Sequence, residues 1–180
     1  MYFEKKGPEN TLKTIELAVN TARQRNIKHI VVATTSGETA RLLKNIEGIN
    51  VVAVTHAYGS KENGKNILSD EVRKELLDSG IKVLTTTHVL SGAERGISRK
   101  FGGISPVEII ANTLKFFGQG TKVVVEIAVM ALDAGLIPFG EKIIAIGGSG
   151  KGADTALILT PAHACNIFDT YINEVICKPY

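Results

Sequence analysis

Four short, mostly apolar runs rich in β-branched residues constrain this chain most: residues 30–33, 51–55, 81–86 and 143–146. The first three are each followed by a turn or loop and then by apolar residues at helical spacing, and the fourth by a glycine-rich hairpin. Such runs read as strands buried on both faces, the pattern of a parallel sheet covered by helices. Strands alternating with helices imply a three-layer, doubly wound α/β fold. Right-handed crossovers carry the first three strands to one side. The longer two-helix connection over residues 105–135 then returns the fourth strand beside the first. The expected strand order is 3-2-1-4-5. The fifth strand, residues 155–160, turns back antiparallel after a glycine-rich hairpin, and a last strand covers residues 171–177.

Helix boundaries follow from local chemistry. Asn10 is a plausible cap for a helix with Leu12, Ile15, Ala18, Val19 and Ala22 inward, and Asn26 tolerates the left-handed stop. Ser36 caps the next helix, with Ala40, Leu43 and Ile46 inward. Ser69-Asp70-Glu71 opens a third, with Val72, Leu76 and Leu77 inward and Gly80 as its stop. Ser105-Pro106-Val107-Glu108 is a capping box with proline at the first helical position, and Gly118 closes that helix. The valine-rich stretch 122–134 reads as a mostly buried helix because Gly135 and Pro138 end it. Residues 91–104, with several glycines, read as a long loop.

Composition narrows the function. A chain of 180 residues fits one domain spanning 1–180. A net charge of only +3 carries no footprint of nucleic-acid or membrane binding. The opening residues turn charged at once, so no signal peptide is expected. The longest apolar run contains Glu126 and Asp133 and is too polar to span a bilayer. Cys165 and Cys177 form no CxxC pair and read as reduced and partly buried, so the expected location is cytoplasmic.

In such sheets ligands bind at the carboxyl ends of strands, where the strand order reverses. Here that switch lies between the first and fourth strands. The first strand runs into Thr34, Thr35, Ser36, Gly37, Glu38 and Thr39, which offer four hydroxyls and a helix start. Free N–H groups and a partial positive charge make a helix N-terminus an anion site. The fourth strand runs into Gly147, Gly148, Ser149, Gly150, Lys151, Gly152 and Asp154. Lys151 is followed by Gly152 rather than Ser or Thr, so this is neither a P-loop nor a dinucleotide fingerprint. It reads as a hairpin whose N–H groups and Lys151 can form a phosphate nest, with Asp154 bonding nearby amides. Thr55, His56, Tyr58, His88, Ser91 and Arg95 are expected to line the same edge. Tyr58 and Phe101 are candidates for a ring contact, and Arg95 and Arg99 for counter-charge. Glu126 reads either as an acid of raised pKa or as a residue facing a wet edge. Four histidines without a fixed spacing are a poor metal signal, and no metal is expected.

Thr34-Thr35-Ser36-Gly37-Glu38-Thr39-Ala40 resembles the Thr-x-Ser-Gly-x-x-Ala effector loop of the pyruvate kinase C-terminal domain. Gly148-Ser149-Gly150 resembles that domain's second effector loop. Residues 90–103, 125–127, 150–156, 161–163 and 176–177 resemble a family of small, stand-alone archaeal and bacterial proteins with this fold. The resemblance implies no pyruvate kinase activity, since the phosphoryl-transfer barrel has no counterpart here. It implies flavin mononucleotide (FMN) as a ligand, with its phosphate on residues 34–39. Glu38 stands where pyruvate kinases often carry a basic residue, which counts against sugar-bisphosphate binding. The expected function is therefore binding of a phosphate-bearing small molecule, FMN first, with flavin-dependent redox activity an open question. The alternative is a non-catalytic sensor of a phosphorylated metabolite. A hydrolase or lyase using His56, His88, Glu94 or Glu126 is the weakest reading. Self-association is left open.

Overall fold

The computed structural model describes residues 1–180. One seven-stranded sheet forms its middle layer. The strands are β1 (Tyr2–Phe3), β2 (His29–Ala33), β3 (Asn50–Val54), β4 (Lys82–Leu84), β5 (Ile143–Gly147), β6 (Thr155–Thr160) and β7 (Tyr171–Pro179). The helices are α1 (Thr11–Gln24), α2 (Glu38–Arg41), α3 (Asp70–Asp78), α4 (Ala93–Phe101), α5 (Pro106–Leu114) and α6 (Gln119–Asp133). Across the sheet the order is β4-β3-β2-β5-β6-β7-β1. This is the expected 3-2-1-4-5 order, extended by two strands at the β6 edge. β2 to β5 are mutually parallel, while β6 is antiparallel to both β5 and β7.

Alternation along each strand explains the unbroken apolar runs. Ile30 and Val32 of β2 enter one core with Ile15, Ala18, Leu43 and Leu76, while Val31 enters the other. That second core joins Val52, Ala145 and Leu157 to Val124, Ile127 and Ala128 of α6. Each fully buried aliphatic side chain contributes roughly 1.5–3 kcal/mol. A helix covered on nearly every side has no polar face to spare. So it is with α6, which buries twelve of its fifteen residues, Lys122 and Glu126 among them.

Several local expectations hold. Asn26 takes φ 54° at the end of α1, and Gly80 and Gly135 take positive φ as helix stops. The Ser69 hydroxyl accepts from the Val72 amide, and the capping box at Ser105 and Glu108 is complete. Others are corrected. The N-terminal arm is strand β1, paired in parallel with β7, and the Met1 ammonium donates to the Ile176 carbonyl at 2.7 Å. Leu12 and Leu77 are exposed rather than inward, each lying on the outer side of its helix. Asn10 caps nothing, because its side-chain amide donates back to the Lys5 carbonyl. Residues 93–101 form helix α4 in place of the expected loop. Cys165 is exposed, and only Cys177 is buried. No helix is long and apolar enough to cross a membrane.

Candidate functional site

A cleft of about 890 Å³ opens at the carboxyl ends of the parallel strands. Ladder bonds continue just past two strand ends: the Thr34 amide donates to Val54 and the Thr55 amide to Leu84, each at 2.9 Å. Thr34 and Thr55 therefore sit at the rim by main-chain geometry. The expected adjacency of the two loops holds, since residues of the 34–39 loop and of the 148–152 hairpin line this one cleft.

Most of the expected residues meet there. Thr34, Thr35, Ser36, Glu38, Thr39, Thr55, His56, His88, Ser91, Arg95, Gly148, Gly150, Lys151 and Gly152 all line it. Gly37, Tyr58, Gly147, Ser149 and Asp154 do not. The Gly37 case changes the physics of the loop. The helix cap is Gly37, not Ser36, in the left-handed conformation at φ 95°. A Cβ there would come within 2.4 Å of Val72 Cγ1, so its missing side chain admits the core and not a ligand. The Thr34 hydroxyl accepts from the Gly37 amide at 3.1 Å. With α2 only four residues long, no helix field of useful size stands here. The groups this loop leaves open to the cleft are the exposed Thr35 and Ser36.

Asp154 is structural. Its Oδ2 accepts from the Gly7 and Ser149 amides, both at 3.2 Å, and its Oδ1 accepts from the Thr155 hydroxyl at 2.8 Å. The Ser149 amide is thereby spent inside the hairpin. Gly152 seats the hairpin tip on the start of the chain's first helix, since a Cβ there would lie 2.4 Å from Thr11 Oγ1. Gly147 faces Val123 of α6. Tyr58 and Phe101 are both exposed and neither lines the cleft.

A buried ionic cluster forms part of the cleft lining. Glu126 Oε1 accepts from the Leu90 amide at 3.0 Å, and Oε2 accepts from Lys122 Nζ at 2.5 Å. His88 Nδ1 lies 3.4 Å from the same Oε2. His88 Nε2 lies 3.1 Å from the Thr55 carbonyl, which can only accept, so Nε2 carries a hydrogen. A neutral ring would then turn its lone pair toward the carboxylate; both nitrogens are satisfied only in the imidazolium. The hydrogen bond with Glu126 raises the His88 pKa against the opposing effect of burial. Burial pushes the Glu126 carboxyl up, but His88 and Lys122 together outweigh it and hold the group below its usual range. The raised-acid reading of Glu126 is thereby corrected, and so is the wet edge, since only 2% of the residue is exposed.

The His56 ring stacks on His88, centroids 5.7 Å apart and planes 4° from parallel. Burial, then the charge of His88, lowers the His56 pKa and keeps that imidazole neutral. A hydroxyl network holds its backbone. Arg73 and Asn66 donate to Thr85 Oγ1, Thr85 pairs with Thr55 at 2.7 Å, and Thr55 donates to the His56 carbonyl.

Among the lining residues not anticipated are Lys115, Gln119 and Lys122. The signal for Lys122 was its i,i+4 spacing to Glu126 inside an apolar helix, where a charged pair must serve something. In all, five Lys or Arg side chains, Arg95, Arg99, Lys115, Lys122 and Lys151, line the cleft with two carboxylates, Glu38 and Glu126. Since Glu126 is engaged by Lys122 and His88, the cleft presents a positive field to a ligand.

Three solved structures and one family model are similar to this chain. Cryptosporidium parvum pyruvate kinase is similar at 22% identity over 76% of this chain, with a TM-score of 0.39. The same enzyme in complex with ADP is similar at 22% identity over 81%, with a TM-score of 0.41. A third structure of it reaches 20% identity over 87%, with a TM-score of 0.42. The matched part is 20%, 22% and 24% of those chains, so this chain spans less than a quarter of their length. The family described as pyruvate kinase, alpha/beta domain, matches residues 13–159, and the chain belongs to that family.

Proposed function

We propose that this protein binds a phosphate-bearing small molecule, FMN first among them, in the cleft at the strand ends. The observation that carries this is the charge of the lining: with Lys122 and Glu126 paired to each other, four basic side chains, Arg95, Arg99, Lys115 and Lys151, stand against one carboxylate, Glu38. Thr35, Ser36 and Lys151 would hold the phosphate. The flat, neutral face of His56 and the apolar Ala33, Val54 and Ala57 would meet the flavin ring. Bound flavin supplies hydride or electron transfer, and the protein contributes position and charge. A cleft of this volume falls within the range of roughly 300–1,000 Å³ that suits a small ligand.

Fluorescence titration with FMN and riboflavin tests the reading. Charge-assisted hydrogen bonds contribute about 1.5–3 kcal/mol each. Losing two of them weakens riboflavin by on the order of a hundredfold or more, at 1.4 kcal/mol per tenfold. Equal affinity for both flavins overturns the phosphate assignment. A second reading is a sensor of a phosphorylated metabolite. It is favoured by the lining itself, which is hydrophobic at only five of 26 residues and holds no phenylalanine, tyrosine or tryptophan. Binding of sugar phosphates without binding of either flavin selects it.

A further inference from the structure

We propose that the outer face of the α4–α5 hairpin is the interface of a two-fold homodimer, with α4 antiparallel to its copy about Ile97. Exposed apolar side chains concentrate along this hairpin and the turn that follows α5, with Lys100 over the Phe101 ring a charged residue among them. Ile97, Phe101, Ile104, Ile109, Phe116 and Phe117 are 58–84% exposed along this hairpin. Aromatic side chains alone can each bury roughly 150–250 Å². The set exceeds the roughly 300–600 Å² of the largest apolar patch on a typical monomer. Covered together, the six side chains would approach the ~800 Å² per partner of a standard stable interface.

The spacing within α4 favours a second copy as the occupant. Ala93, Gly96, Ile97, Lys100 and Phe101 fall on one stripe at helical spacing, and all are exposed. Space outside Gly96 is open, since a Cβ there would meet nothing within 4 Å. An antiparallel copy centred on Ile97 brings each bulky Phe101 level with the small Ala93 of the other chain. That is a self-complementary surface, as a two-fold interface requires. A helix lying in a membrane surface keeps the arginines of its polar face free to meet lipid headgroups. Here Arg95 and Arg99 lie on the opposite side of α4 and line the cleft.

The interface matters to the site because α4 is weakly held in the monomer. None of its nine residues is buried, and a hydrogen bond from Ser98 to Glu108 at 2.6 Å ties it to α5. Covering its outer face fixes the helix that presents Arg95 and Arg99. Assembly and ligand binding are then linked, each strengthening the other by the same factor.

Sedimentation or light scattering of the ligand-free full chain tests the interface independently of any ligand. The expected result is a concentration-dependent dimer. Ile97→Glu and Phe101→Glu should each weaken it by roughly thirtyfold or more, as for truncation of a central interface residue, with an unchanged melting transition. A monomer at every concentration overturns the proposal, as does a wild-type dimer that both variants leave intact. A monomer that co-sediments with anionic lipid vesicles overturns it in favour of a membrane surface. Should a variant fail to fold, Ile97→Cys in a Cys165→Ser background replaces it. Mild oxidation should then cross-link two chains at the two-fold, and no cross-link counts against it. The linked effect, weaker FMN binding by the monomeric variants, rests on the flavin reading. Its failure alongside a confirmed dimer would reject the linkage and leave the interface standing.

Discussion

Glu126→Gln isolates the electrostatics of the cleft. The substitution keeps the shape of the side chain and can keep one acceptor for the Leu90 amide. It removes the carboxylate that Lys122 and His88 share, and the amide nitrogen then faces two donors. Lys122 is only 6% exposed, so it is left as a buried charge without a partner. Breaking a buried ion pair from one side costs about 3–5 kcal/mol. For a domain of this size 1 kcal/mol moves the melting temperature by about 2–4 °C. Thermal unfolding should therefore fall by roughly 6–20 °C.

The pH profile gives a second, sharper readout. The folded pKa of His88 is raised. Its contribution to stability is fully present below the unfolded value of about 6.5, and it is lost as pH rises through the folded value. The folded pKa of Glu126 is lowered. Its contribution is present above the unfolded value of about 4.3, and it is lost as pH falls through the folded value. The cluster is strongest between those ranges, in mildly acidic solution. Urea unfolding of the wild type from pH 4 to 9 should show that maximum, and Glu126→Gln should flatten it. A variant within about 0.5 kcal/mol of wild type, the usual span of a surface change, with an unaltered pH profile would refute the buried-cluster reasoning.

Other positions separate fold from binding. Gly37→Val should destabilise the protein by roughly 1–3 kcal/mol for the left-handed backbone and a further 1–3 for overpacking against Val72, measured by chemical denaturation. Lys151→Ala should leave stability unchanged, since the residue is exposed. It should weaken FMN by about ten- to a hundredfold in the same titration, at one charge-assisted bond. Asp154→Ala should unfold at markedly lower denaturant, because it orphans the Gly7 and Ser149 amides at about 1–3 kcal/mol each.

The strand order was legible because it follows from a few strong rules. Runs such as Ile30–Ala33 face two cores at once, and right-handed crossovers leave little freedom in how they are arranged. The capping box at Ser105 and the stops at Asn26, Gly80 and Gly135 were legible for the same reason, being local chemistry read over a few residues. What escaped was tertiary. Gly92, Gly96, Gly102 and Gly103 disguised α4, although Ala93-Glu94-Arg95 and Ser98-Arg99-Lys100-Phe101 are compatible with a helix. The edge pairing of Tyr2–Phe3 with Lys178–Pro179 joins opposite ends of the chain, which no local pattern announces. The site divides along the same line. Which loops meet at the strand ends was set by topology, and it was foreseen. How each side chain is spent was not: Gly37 opens onto Val72, Asp154 satisfies the hairpin, and Thr34 caps its own turn. A glycine- or hydroxyl-rich loop looks alike whether its groups face a ligand or the protein, because both uses need small residues and free donors. The distinction lies in direction, and direction is fixed by what packs behind the loop. Lys122 and Glu126 make the same point in reverse. Their i,i+4 spacing reads as a solvated pair on most helices, and only α6's burial on nearly every side turns it into charge at the cleft.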